Sequence, residues 1–156
     1  MTTISDKIKA CEYVINNLLD EQERIIYAHE NEFIKMNTAQ FDEGLGSDGK
    51  ILNNTNPIFD GRYSLFTQIQ AEKKPAIAPK IAGELYNFAW TGDFLSGLQL
   101  EIRPNAVQFD IFSTGTGTGD KSIFFAGYTN LFGISDTDRV NSIIYEDLML
   151  WVNKYI

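Results

Sequence analysis

Residues 90–113 read WTGDFLSGLQLEIRPNAVQFDIFS, and this stretch decides the fold class. Apolar residues twice occupy every second position with polar residues between them: Leu98, Leu100 and Ile102, then Val107, Phe109 and Ile111. A period of two places each apolar trio on one face of a β-strand. The residues at 103–106, Arg-Pro-Asn-Ala, are typical of a tight turn, because proline fixes φ and asparagine tolerates the corner. The pattern predicts an antiparallel hairpin at about 97–112.

A long amphipathic helix is predicted ahead of the hairpin. Over residues 4–35, apolar side chains recur at spacings of three and four, which places them on one helix face. Thr3 or Ser5 is expected to cap its start, because a hydroxyl oxygen accepts a hydrogen bond from the first turn. The polar middle, residues 20–24, leaves two alternatives: the helix is exposed there, or it breaks in two. A helix of this length either packs in the core or reaches out to a neighbouring molecule, and both roles stay open.

A second long helix is predicted at the end of the chain, over 136–154. Its apolar residues follow helical spacing, and Ser135 followed by Asp138 resembles a capping box. The predicted fold is therefore α+β, with an antiparallel sheet built around the central hairpin and packed with the N-terminal and C-terminal helices. A chain of 156 residues is expected to form a single domain, with its α+β core at 63–156.

The segment between the N-terminal helix and the hairpin carries weaker signals. Residues 36–62 are rich in glycine and asparagine and are predicted to form a long loop. Residues 63–70 fit either a helical turn or a short strand, and the spacing over 80–89 predicts a helix. A turn of helix is expected at 93–97, where it leads into the first strand.

Two loops invite a ligand-binding interpretation that their spacing does not support. The acidic residues of the long loop lack the alternating oxygens and closing glutamate of an EF-hand, so a solvated loop is favoured over a calcium site. Residues 114–122, TGTGTGDKS, follow a strand as a phosphate-binding loop would. A P-loop needs glycine directly before its lysine, whereas Asp120 precedes Lys121 and would repel phosphate. A flexible loop is favoured over nucleotide binding.

The charge and composition exclude several classes of function. The net charge is -8 and the longest basic run is Lys73-Lys74, which disfavours general nucleic-acid binding. One cysteine and one histidine cannot build a Cys/His metal site, and no cofactor is expected. Cys11 lies on the apolar stripe of the N-terminal helix and is expected to be buried, and His29 is expected to be a solvated helix residue. The start of the chain lacks a signal-peptide pattern and no apolar run reaches membrane-spanning length, so we expect cytoplasmic synthesis and no membrane partner.

Catalytic chemistry is not evident in the sequence. A Gly-x-Ser-x-Gly elbow is absent, and carboxylate pairs such as Glu146-Asp147 are typical of solvated helix faces. Trp90, Tyr86 and Tyr128 support an alternative, a small-ligand or carbohydrate-binding module, because aromatic rings stack on sugars. Packing in a core is the commoner use of such rings.

Short motifs along residues 35–150 resemble one family. Thr91-Gly92-Asp93-Phe94 leads into the strand pair, and Leu131-Phe132-Gly133-Ile134 precedes the last helix. The run 37–41, Asn-Thr-Ala-Gln-Phe, is followed by Gly44 and Asp48-Gly49. In this order the motifs resemble the small head–tail connector, tail-completion or minor-tail proteins of tailed bacteriophages.

The resemblance implies a non-enzymatic virion protein, assembled in the bacterial host cytoplasm as part of a neck or tail ring. Its partners would be copies of itself and other neck or tail proteins, with contact to DNA limited to passage through the channel. An acidic channel lining would let DNA pass by like-charge repulsion. Loops are expected to form the intersubunit contacts. The residues expected there are Phe41, Asp42, Leu45, Ile51, Leu52, Ile58, Phe59, Thr116, Thr118, Phe124, Phe125 and Tyr128.

Overall fold

The fold is α+β, as the sequence predicts. The computed structural model describes residues 3–52, 54–55, 60–103, 108–115, 125 and 127–156. The elements, in chain order, are α1 (Ile4–Ala28), α2 (Glu30–Asp42), α3 (Leu65–Glu72), α4 (Asp93–Ser96), β1 (Leu98–Ile102), β2 (Phe109–Ser113) and α5 (Thr137–Val152).

The two strands form the predicted antiparallel hairpin. Leu98 pairs with Ser113, and Leu100 pairs with Ile111, so the apolar residues of both strands share one face. Leu98, Leu100 and Ile111 are buried, whereas the alternating residue Glu101 is exposed. Of the turn predicted at 103–106, residues 104–106 lie outside the described residues. Period-two alternation therefore sets both the register and the buried side of this sheet.

The N-terminal helical segment is longer than predicted and is broken once. The break lies at His29, C-terminal to the polar stretch at 20–24, and separates α1 from α2. Thr3 caps α1 as expected, in a capping box with Asp6. Residues 36–42 are helical instead of forming the start of a loop. Gly44, with φ of 71°, lies two residues beyond the last helical residue in a conformation that disfavours side chains with a Cβ.

Two further expectations about local structure are corrected, and one open alternative is resolved. The cap of α5 is Asp136, whose Oδ1 accepts a hydrogen bond from Arg139 N at 3.0 Å; Ser135 instead bonds to Gln40. Residues 80–89 are not helical. They form an irregular segment with a turn at 82–83, in which Leu85 pairs with Arg62 and Tyr86 N donates to Gly61 O at 2.8 Å. For residues 63–70, the sequence left a helical turn or a short strand open. The structure has a helix at Leu65–Glu72, which the Ser64 side chain caps.

Two apolar clusters lie on the buried face of the hairpin. The first joins the end of α1, α2, α5 and one end of the sheet through Ile25, Ile26, Phe33, Leu100, Val140 and Ile144. The second gathers the end of α2, the long connections and the other end of the sheet through Phe41, Leu52, Phe94, Leu98, Ile111 and Leu131. The hairpin therefore connects a helical layer to a layer built mostly from irregular segments.

Candidate functional site

One face of α1 is apolar and uncovered. We call it the α1 face and define it by Ile4, Ile8, Cys11, Ile15 and Leu19, which are all exposed. Ile4 is 80% exposed and Ile15 is 71% exposed. Spacings of four and three place these residues on one side of the helix. The expectation that Cys11 is buried is wrong. Other elements cover only part of the apolar stripe of α1, and Cys11 lies in the uncovered part.

The neighbouring side of α1 packs against α5. Val14 is buried there, and the rings of Tyr13 and Tyr155 lie 4.7 Å apart. Nearer its end, α1 enters the first apolar cluster through Ile25 and Ile26, which are essentially fully buried. α1 therefore contributes to the core at its C-terminal end and exposes apolar surface along its N-terminal half.

A second uncovered apolar surface surrounds α3. We call it the α3 face and define it by Leu65, Phe66, Ile69 and Ile81. Phe66 is 70% exposed and Leu65 is 64% exposed. Ala82 N donates to the Gln68 Oε1 atom at 2.9 Å, and this bond holds Ile81 beside the helix. The sequence pattern offered no distinction between these residues and core residues, because both have helical spacing.

Charged residues border both faces. Asp20 and Glu23 follow the α1 face, and Lys73 and Lys74 follow the α3 face. Within the part of the chain that the structure describes, none of these four side chains forms an ion pair. Each face thus has an apolar centre and a charged end, and the charge is negative at the α1 face and positive at the α3 face. This arrangement is suited to binding a protein surface.

The break between α1 and α2 carries a polar network that the sequence did not reveal. His29 lies 3.0 Å from Asp147 Oδ2 through Nε2, and 3.2 Å from Glu32 Oε2 through Nδ1. Arg139 Nη2 donates to the other oxygen of Glu32 at 3.3 Å. The hydrogen bond to Asp147, assisted by Glu32, raises the pKa of His29 above its ordinary value of 6.5. His29 is therefore a bridge between helices, not a solvated side chain.

The aromatic residues considered for ligand binding pack against one another. Tyr86 and Tyr128 meet edge to face with ring centroids 6.4 Å apart, and Phe88 lies 5.2 Å from Tyr128. Burial raises the pKa of Tyr128 to about 12. Trp90 is half-buried and lies two residues beyond Phe88. Because these rings contact one another through their edges and faces, little ring surface remains for a sugar. Packing is therefore the favoured role.

Lys80 lies beside this aromatic group and is almost completely covered. Its Nζ donates to Asn87 Oδ1 at 2.8 Å and lies 5.0 Å from the centre of the Tyr63 ring. Burial lowers the pKa of Lys80. Tyr63 donates its hydroxyl to the same Asn87 oxygen at 2.7 Å. The bond from Tyr63 ties segment 80–89 to the chain before α3, and the bond to Asn87 satisfies the buried ammonium group of Lys80.

The loop residues expected to contact neighbours have different positions. Phe41 and Leu52 are buried in their own subunit at 0% and 1% exposure, so the expectation that they form intersubunit contacts is corrected. Asp42 and Ile51 are exposed, and Leu45 is half-buried. Two others, Phe125 and Tyr128, are half-buried against the second apolar cluster. The remaining residues, Ile58, Phe59, Thr116, Thr118 and Phe124, lie outside the described residues.

The described part of the long loop is held by its own chain. Ser47 N donates to Asn130 O at 2.8 Å, and Asn130 Nδ2 donates to Asp48 Oδ1 at 2.8 Å. The bond from Asn130 holds the pKa of Asp48 below its usual value. Gly46 lies so close to Asn130 that a Cβ would fall 2.4 Å from its backbone oxygen. Close packing of this kind shows that residues 45–52 are ordered within a single subunit.

The described residues offer few features for binding a metal ion, a membrane or a small molecule. In that part of the chain, no three Asp, Glu, His or Cys residues are grouped to hold a metal ion. None of the described helices combines the length and apolar character needed to cross a membrane. A cleft of about 280 Å³ lies between the first turns of α1 and residues 153–156, which follow α5. The glycine-rich segment 116–122 is not described.

Comparisons with protein-family models, with curated proteins and with solved structures found no match.

Proposed function

We propose that this chain is a non-enzymatic structural protein of a tailed-bacteriophage virion and forms part of the neck or tail connector ring, as a tail-completion or tail-terminator-like subunit. The observation that carries the proposal is the pair of uncovered apolar faces on α1 and α3. Monomeric soluble proteins rarely leave continuous apolar surfaces exposed, and such surfaces usually mark contacts with other proteins. Two separate faces on one chain suit a subunit with a neighbour on each side.

The use of the polar residues supports a structural role. His29 bridges α2 and α5, and Lys80 is hydrogen-bonded to Asn87 inside an aromatic cluster. Gln40 Nε2 donates to Gly133 O at 2.9 Å, and its Oε1 accepts from Ser135 N at 2.6 Å. His29 and Gln40 join segments that are distant in sequence, whereas the bond of Lys80 lies within its own segment. Their arrangement favours assembly over the turnover of a substrate.

The charge of the chain suits passage of DNA without binding. A net charge of -8 repels the phosphate backbone, and a ring whose channel is acidic would let the duplex slide. The partners in this proposal are further copies of the chain and other neck or tail proteins of the particle, with no membrane partner. The resemblance of the Thr91-Gly92-Asp93-Phe94 turn to those proteins agrees with the position of α4, which leads directly into β1.

Two measurements test the proposal. Native mass spectrometry of the purified chain is expected to show a closed oligomer of defined subunit number, and electron microscopy of that sample is expected to show rings. Protein mass spectrometry of purified phage particles that encode the chain is expected to detect it in the virion. Absence from the particles, or a substrate turned over by the purified monomer, would contradict the proposal.

A further inference from the structure

We propose that the α1 face of one subunit docks on the α3 face of a second copy of the chain, with the two helices running in the same direction. This inference rests on the proposed ring and specifies the contact that builds it. The occupant of each face is the other face on the next copy. The contact is heterologous, because two different surfaces meet. After one such contact has formed, each of the two subunits still has one free face.

The two faces have the same spacing. Ile15, Leu19 and Glu23 follow one another at intervals of four residues on α1. Leu65, Ile69 and Lys73 follow the same interval along α3. Each row extends about 12 Å at a rise of 1.5 Å per residue. Rows of this kind form the ridges that interdigitate in the commonest class of helix packing.

The charges at the ends of the rows determine the direction of docking. When the rows are aligned in parallel, Ile15 lies opposite Leu65 and Leu19 lies opposite Ile69, so that Glu23 meets Lys73. In this alignment Asp20 lies opposite Gln70 and Lys74 lies opposite Arg24, so the complementarity depends on the pair Glu23 and Lys73. Lys73-Lys74 is the longest basic run in a chain of net charge -8, so it is the best local match for an acidic surface of another copy.

Parallel contacts between two like faces are less favourable. Parallel pairing of two α1 faces would bring Glu23 of one subunit against Glu23 of the other, and like charges in contact oppose association. Pairing of two α3 faces would do the same with Lys73. The heterologous contact avoids both repulsions. Because α3 is short, one such contact buries less than the roughly 800 Å² per partner of a typical stable interface. Repetition around a closed ring compensates, since each subunit then makes two contacts.

Charge reversal tests the inference in the full-length chain. Glu23→Lys and Lys73→Glu are each expected to weaken self-association by about tenfold or more, because each places like charges together. The double variant restores the pairing in reversed form and is expected to recover most of the association. Glu43→Lys and Lys35→Glu make the same changes of net charge on exposed residues outside both faces and are expected to behave like the wild type. Sedimentation velocity over a concentration series measures the effect, and circular dichroism confirms folding.

Cross-linking provides a second readout. In a Cys11→Ser background, chains carrying Ile15→Cys are mixed with chains carrying Leu65→Cys and treated with a short bismaleimide. A covalent pair is expected from the mixture and not from either variant alone. A pair from Ile15→Cys alone would overturn the inference in favour of α1–α1 pairing. No cross-linking in the mixture would overturn it as well.

The inference and the proposed ring can fail separately. If both charge-reversed variants form a closed ring as stable as that of the wild type, the α1–α3 contact is overturned and the proposed ring is still supported. Charge-dependent association into open chains without a defined subunit number would support the contact and contradict the ring. A wild-type chain that stays monomeric at all concentrations overturns the contact, while detection in phage particles still decides the virion role.

Discussion

The two halves of the N-terminal helical segment have the same apolar spacing and opposite environments. In α1, Ile4, Ile15 and Leu19 are between 58% and 80% exposed. Toward the end of α1 and in α2, Ile25 and Phe33 are fully buried. The difference arises from the neighbours, since α5 and the hairpin cover the second half, whereas only one side of the first half touches α5. Spacing therefore identifies the residues that share a face, and other elements decide whether that face is covered.

The largest expected effect concerns the buried half. Phe33→Ala removes a ring that stacks on Phe109 with centroids 5.0 Å apart, and it leaves a cavity in the first apolar cluster. We expect the free energy of unfolding to fall by about 3–5 kcal/mol. Phe66→Ala is the matched control on an uncovered face, with an expected change within about 0.5 kcal/mol. Urea unfolding of both variants measures the contrast, and equal losses would contradict the distinction between covered and uncovered apolar residues.

A smaller effect is expected at the polar residues that fasten α2. Gln40→Leu removes hydrogen bonds to Gly133 O, Ser135 N and Ser135 Oγ. Because these partners are part-buried, loss of the bonds is expected to cost about 1–3 kcal/mol in unfolding free energy. Gln99→Leu, at an exposed position of β1, is the control and is expected to be nearly neutral. A neutral Gln40→Leu would show that apolar packing alone holds the end of α2.

The break between α1 and α2 is expected to respond to pH. The folded state raises the pKa of His29 through Asp147 and Glu32, so protonated His29 stabilises the fold. That contribution is fully present below about pH 6.5 and is lost as the pH rises through the raised pKa. Relative to His29→Gln, the wild type should therefore lose stability over this range, measured as melting temperature against pH. Parallel curves for the two proteins would exclude a role for the bridge.

The smallest effect on folding is expected in the exposed half. Ile15→Ser changes a residue that is 71% exposed, so the unfolding free energy of the monomer is expected to change by no more than about 0.5 kcal/mol. Self-association, measured by sedimentation velocity, is expected to weaken because a polar side chain replaces part of the α1 face. Unchanged association would show that Ile15 is outside any contact between copies.

Local patterns predicted much of the fold. Alternation in residues 98–111 predicted the hairpin, and the cap at Thr3 together with the spacing beyond it predicted α1. The helix expected over 80–89 was wrong because backbone pairing between Arg62 and Leu85 prevailed over local spacing. The continuation of α2 to Asp42 was missed because glycines and polar residues beyond it had suggested a loop. In the first of these errors, a contact between distant segments outweighed the local preference.

The candidate surfaces were less accessible to sequence reasoning than the fold. The stripe from Ile4 to Leu19 was visible, and the possibility that it packs on a neighbour was one of the alternatives. Its exposure was not visible, and Cys11 was expected to be buried. Phe41 and Leu52 were expected at contacts between subunits because they flank or lie in glycine-rich sequence, yet both are in the core. The sequence held no sign of the bridge from His29 to Asp147, because those residues lie 118 positions apart.

The sequence by itself determined the elements with regular periodicity, namely the hairpin and the helices at both ends, because strand and helix preferences act between residues close along the chain. The tertiary structure decided which apolar faces are covered, where α1 gives way to α2, and which polar groups hold the segments together. Those outcomes depend on partners such as Gly133 for Gln40 and Asp147 for His29, and partners so far apart in sequence meet only when the chain has folded.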